Sequence, residues 1–170
     1  MTKQKKLPVA IDLEEFSELI KHTKKNHHRI AFLLGYGAGL RISEVISLEK
    51  SDINFKEKKI LVRQGKGNKD RVVPLPKGFK EWMLKYIPIK CGVRALQISF
   101  KKVANKIDLT KKKPTIHFHS LRHGFATRLI SEGMPIHHLR TLMGHSNIST
   151  TNIYLESNPK GALESYEELF

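Results

Sequence analysis

The sequence predicts an α+β fold, mainly α-helical, with a small three-stranded antiparallel sheet. Three observations carry this expectation. Apolar residues recur at three- and four-residue spacing through roughly the first third of the chain, and again after Pro76. Between these regions the pattern changes to short runs of β-branched and aromatic residues. The last two of those runs are joined by Gly65-Lys66-Gly67-Asn68-Lys69-Asp70, a turn between neighbouring strands.

Each element has a local justification. Residues 1–6 are a short polar, basic lead. Asp12 can cap a helix running to about position 24, with Leu13, Phe16 and Ile20 on one face. Residues 28–37 read as a second, more buried helix, broken at Gly39, and 42–48 as a third. Strands are expected at 52–55, 59–62 and 71–74. Phe79, Trp82, Met83 and Tyr86 fall at helical spacing and are expected in the core. Further helices are expected at 93–107, 120–131, 135–143 and 150–156, with a last turn at 165–170. Lys111-Lys112-Lys113-Pro114 reads as a loop that meets solvent or phosphate. The whole is expected to be a single domain over 1–170, with a tail over 156–170.

Composition narrows the function. Of 170 residues, 31 are Lys or Arg and 16 are Asp or Glu, a net charge of +15 that repels itself and suits a polyanionic partner. No apolar run is long enough to cross a bilayer, which weakens the rival reading of an anionic membrane. The single Cys91 excludes an internal disulfide and most zinc frameworks and fits a reducing cytoplasm. As a lone side chain it reads as a small buried hydrophobe.

The last third carries the chemistry. His119, Arg122, His123, His145 and Tyr154 recur at short spacing with no acid among them until Glu132. His119 and Arg122 share one face at a helix start, where free N–H groups favour an anion. His123 lies one turn further and either braces the His119 ring or packs. Arg41 opens an earlier helix in the same way, so two guanidiniums can clamp a phosphodiester through charge-assisted bonds. Glu44 either orients that fork or is a plain surface group. Lys66 lies between two glycines, where the backbone can approach a nucleic acid and the amine can reach a leaving oxygen. Lys69 and Arg71 lie close by as alternatives to Lys66, and the favoured reading for both is general phosphate contacts to DNA. Tyr154 supplies a phenol whose ionised form nearby arginines favour. The set holds a nucleophile, a phosphate clamp and a candidate acid, and none of its steps calls for a metal. Zinc at His117, His119 and His123 is disfavoured by Arg122 beside it, and no phosphate-binding loop for ATP is present.

These motifs resemble the tyrosine recombinases, the phage integrases and Xer-type recombinases. The resemblance rests on Gly39-Leu40-Arg41-Ile42-Ser43-Glu44, on Gly65 to Arg71, on His119-Ser120-Leu121-Arg122-His123, and on Leu142-Met143-Gly144-His145 followed by Tyr154. It implies the catalytic-domain fold of that family and a site-specific DNA recombinase or integrase that uses no cofactor. Arg41, His119 and Arg122 would bind the scissile phosphate, with His145 completing the pocket. His119 would also accept a proton, Lys66 would protonate the departing 5′-hydroxyl, and Tyr154 would form a 3′-phosphotyrosine. Double-stranded DNA is the implied partner, and a cytoplasmic, DNA-associated location follows. Relaxation of DNA in the manner of a type IB topoisomerase is the alternative activity, and a non-catalytic DNA-binding module the alternative class. The chain begins where the family's N-terminal core-binding domain would end. The acidic tail with Glu156, Glu164, Glu167 and Glu168 is expected to dock in its own subunit or a neighbour's.

Overall fold

A computed structural model describes residues 8–65 and 69–144. Seven helices and three strands are defined there: α1 Leu13–His22, α2 Asn26–Gly37, α3 Ile42–Ser47, β1 Ile53–Asn54, β2 Lys59–Gly65, β3 Lys69–Pro74, α4 Val93–Lys106, α5 Leu109–Lys112, α6 His119–Ser131 and α7 Ile136–Met143. The mainly helical α+β class expected from the sequence is the one observed. The helices expected after position 144 lie outside the described residues.

Local chemistry sets the boundaries. Asp12 accepts from the Glu15 N–H at 2.8 Å while Glu15 accepts from the Asp12 N–H at 3.0 Å, a reciprocal cap at the start of α1. The helix stops at His22, short of position 24, because Thr23 turns extended and its hydroxyl donates to the Leu19 carbonyl. The strands form one antiparallel sheet in the order β1-β2-β3, with Ile53 opposite Ile60 and Val62 opposite Arg71. Its register shifts between Val62 and Gly65, next to the turn.

The main core lies around α2, the most buried helix. Phe32, Phe100 and Phe118 meet there edge to face, with centroids 5.6 to 6.4 Å apart. Helix α6 lies close against α2: a side chain on Gly35 would press on Leu121, and one on Gly124 would strike the Ile11 carbonyl and the Tyr36 ring. That intimacy fixes the start of α6, where the site is built.

Two expectations fail. Phe79 is buried, but Trp82 is 51% exposed, and 81–86 form a 3-10 helix whose three-residue period turns the indole outward. Trp82 instead packs on Tyr86 and under the Lys85 ammonium. The basic run at 111–113 is not a plain loop. Residues 109–112 form α5 after Asp108, which is left-handed at φ +56°. Lys113 reaches back to the Ala10 carbonyl and the Glu15 carboxylate, so it ties the chain's beginning to α5 rather than meeting solvent.

Candidate active site

Glu44 is the hub of the site. It sits on the first turn of α3, is 8% exposed, and faces guanidiniums from three different elements. Arg41, the extended residue just before α3, donates from its backbone N–H at 2.7 Å and from Nη1 at 2.8 Å. Arg71 of β3 makes a paired contact, Nη1 and Nη2 each 2.8 Å from one carboxylate oxygen. Arg122 of α6 approaches to 4.0 Å. Burial would push the Glu44 carboxyl up, yet the hydrogen bonds from Arg71 and Arg41 and the Arg71 charge outweigh it and hold the group down at about 2.

The backbone before Arg41 is shaped for this assembly. Gly39 is left-handed at φ +66°, and a Cβ there would stand 2.5 Å from the Phe125 ring. Only glycine fits such a turn without strain. Its carbonyl accepts from Arg122 Nη1, while Arg122 Nη2 donates to the Met143 carbonyl at the end of α7. Arg71 Nε donates to the neighbouring Leu142 carbonyl at 2.9 Å. Two arginines thus satisfy the last carbonyls of α7, which have no partner within that helix. Gly144 follows in the left-handed conformation, against the Arg71 side chain.

Three guanidiniums against one carboxylate leave an excess of two positive charges in a largely buried cluster. Such an excess is costly unless an anion joins it. Arg41 is the opening: its side chain is 19% exposed, against 7% for Arg71 and 4% for Arg122. His119 begins α6 on the same side. Burial first, then the charges of Arg122, His117 and Arg41, lower its pKa, against a weaker upward pull from Glu44. His123 lies edge-on to it, centroids 6.3 Å apart, and burial, with His119 next, lowers its pKa to about 4. Both rings are neutral at pH 7, and a neutral ring can accept a proton. A cleft of about 310 Å³ adjoins His119 and Ile42, lined by Gln97, Lys101 and His117.

Of the residues singled out from the sequence, Arg41, Glu44, His119, Arg122 and His123 gather here. Lys66, His145 and Tyr154 lie outside the described residues, as does the side chain of Lys69. Arg71 does not fit the expectation of a DNA contact. Its guanidinium is committed to Glu44 and Leu142, so it braces the pocket from inside. The alternation of β3 held the signal: Arg71 shares a face with buried Val73, while Val72 points outward and is exposed.

This fold is that of the catalytic part of tyrosine recombinases. The chain superposes on the crystal structure of XerA recombinase with a TM-score of 0.74 at 22% identity, covering 95% of this chain and 65% of that one. The XerH site-specific recombinase, in a post-cleavage complex with palindromic difH substrate, gives 0.76 at 24% identity over 95% and 53% of the two chains. Residues 10–160 match the model of the phage integrase family, and the chain belongs to that family. It is 39% identical over 168 residues to tyrosine recombinase XerA of Thermococcus onnurineus, covering 88% of this chain and 58% of the relative. It is 30% identical over 186 residues to XerC of Vibrio cholerae, covering 98% and 60%. The chain thus spans about three-fifths of the length of these curated relatives.

Proposed function

We propose that this chain is the catalytic portion of a site-specific DNA recombinase or integrase that breaks and rejoins strands through a 3′-phosphotyrosine. The Glu44-centred cluster carries the reading: it is a hydrogen-bonded, electropositive pocket with one open guanidinium and a neutral imidazole at its mouth. A phosphodiester supplies the missing anion. In this scheme Arg41 holds a non-bridging oxygen directly, Arg122 contributes its charge from the pocket wall behind it, and with His145 closing the pocket they stabilise the charge that grows on phosphorus. The Tyr154 oxygen forms the new P–O bond and its proton passes to His119. The P–O5′ bond breaks as Lys66 delivers a proton to the departing hydroxyl. The phosphotyrosine keeps the ester energy, so an incoming 5′-hydroxyl reverses the step without ATP.

Double-stranded DNA is the proposed partner, and the DNA complexes of structural neighbours support it. Among the described residues no helix is long and apolar enough to cross a membrane. The acidic tail over 156–170 is proposed to dock on a basic surface of the same or a neighbouring subunit. Mass measurement on DNA, with and without residues after Ser157, tests that docking, and an unchanged assembly removes it.

A nicked suicide substrate tests the chemistry. The expected product is a covalent protein–DNA adduct, abolished in Tyr154→Phe and unaffected by EDTA. Retarded DNA without an adduct would make the chain a binding module. Supercoil relaxation without recombinant product would favour a topoisomerase-like role. Binding should weaken steeply with salt as phosphate contacts release counterions.

A further inference from the structure

At the end of α2 remote from Gly39 and Arg41, the fold brings Cys91 beside two adjacent histidines far from it in sequence. His27 and His28 lie in the first turn of α2. Cys91 lies in the tight turn before α4, where its N–H donates to the Ile89 carbonyl at 2.9 Å. One donor atom from each of the three falls within 4.8 Å of the others, and among the described residues no other such group occurs. We propose that His27, His28 and Cys91 bind a thiophilic closed-shell cation, Zn²⁺ or Cu⁺.

The donor set argues for this class. Two imidazoles and a thiolate suit zinc or copper(I) and are poor ligands for magnesium or calcium. Around one tetrahedral zinc, donors at about 2.0–2.3 Å from the ion stand roughly 3.3–3.8 Å apart. Closing the triad therefore needs shifts of an ångström or so. Cys91 and His27 are only partly buried and can make them by side-chain rotation. His28 stays fixed. It is 8% exposed, and its Nδ1 is 2.7 Å from the Ser99 hydroxyl of α4. That bond orients the ring and leaves Nε2 as the nitrogen for the ion, the arrangement by which second-sphere groups set a ligating histidine. Free histidine titrates near 6.5, so both rings are available at neutral pH.

Lys25 stands near all three donors, and its charge counts against a dication. The thiolate offsets one positive charge, since binding releases the Cys91 proton to solvent as the S–metal bond forms. Copper(I) would give a neutral three-coordinate centre, and zinc would add a water. Either ion would cross-link the start of α2 to the turn before α4. Helix α2 leads on to Gly39 and Arg41, and α4 borders the His119 cleft. The proposal is independent of the strand-transfer chemistry.

The experiment uses the full, untagged chain, reduced and stripped with chelator. It is titrated with Co²⁺ as an optical stand-in for Zn²⁺, with Zn²⁺, and with Cu⁺ under anaerobic conditions. One ion per chain should bind, with a thiolate-to-cobalt charge-transfer band. Zn²⁺ or Cu⁺ should slow alkylation of Cys91 by roughly tenfold or more, because the thiolate is the nucleophile and the S–metal bond occupies it. Cys91→Ser and His28→Gln should lose the band, while the double variant His137→Gln, His138→Gln, which removes two exposed surface rings, should keep it. Protection by Cu⁺ alone would assign copper, and by Zn²⁺ alone zinc. An alkylation rate unchanged by either ion, or binding that persists in Cys91→Ser, overturns the site. The alkylation arm uses the unsubstituted chain, so it decides even where a variant fails to fold.

Discussion

Replacing Glu44 by Gln keeps the side chain's shape and removes the one negative charge among three guanidiniums. The hydrogen bonds and charge of Arg71 and Arg41 lower this carboxyl from an ordinary 4.5 to about 2, overcoming a burial effect of opposite sign. Each unit corresponds to about 1.4 kcal/mol, so the ionised carboxylate contributes on the order of 3 kcal/mol to folding. The folded-state value lies below the unfolded one. The contribution is therefore complete above about pH 5 and fades as pH falls through 4 toward 2. Glu44→Gln should lower stability by that amount at pH 7, a fall in Tm of roughly 6–12 °C for a domain this size. The gap to the unsubstituted protein should close in acid. Urea unfolding of both proteins at pH 7.5, 4.5 and 3 measures it. Added sulfate should stabilise the variant more, because the unbalanced guanidiniums then bind it more tightly. A difference below about 0.5 kcal/mol at pH 7.5, or one equally large at pH 3, would refute the hub assignment.

Other outcomes follow from the same geometry. Arg71→Gln should slow single-turnover adduct formation by about 10²-fold through misplacement of Glu44 and Arg41. It should leave the salt dependence of DNA binding unchanged, and a slope reduced by about one charge would restore Arg71 as a DNA contact. Adduct formation should stay flat with pH down to 6.5 and decline only below it, because burial and the neighbouring cations lower the His119 pKa from that value; a decline between pH 8 and 7 that disappears in His119→Gln would contradict a neutral acceptor. Gly39→Ala should cost about 2 kcal/mol or more by thermal denaturation, since it forces a left-handed alanine into the Phe125 ring.

Much of this was legible in the sequence because it was local. Asp12 and Glu15 announce their cap three residues apart, and the strand alternation is visible wherever one face is buried. Arg41, His119 and Arg122 were recognisable through spacing and helix starts, whereas the spacing left Glu44 between orienting the Arg41 fork and a plain surface role. What was not legible depends on tertiary partners. Nothing around Arg71 names Glu44, 27 residues away, as its partner. Lys113 looks like part of a solvated charge run until α1 brings Glu15 beside it. Trp82 satisfies a helical stripe, but the three-residue period of a 3-10 turn points it elsewhere. Cys91 alone is a small hydrophobe, and only the packing of α4 against α2 sets it near two imidazoles.

The last carbonyls of α7 are held by the same side chains that line the phosphate pocket. Truncating either arginine therefore unfastens a helix terminus as well as stripping a positive charge from the pocket wall. Alanine scanning at Arg71 or Arg122 will confound two losses, whereas a guanidinium whose N–H groups are selectively methylated would separate them. A lysine at either position would give up the paired N–H groups that fasten the end of α7 while serving the pocket.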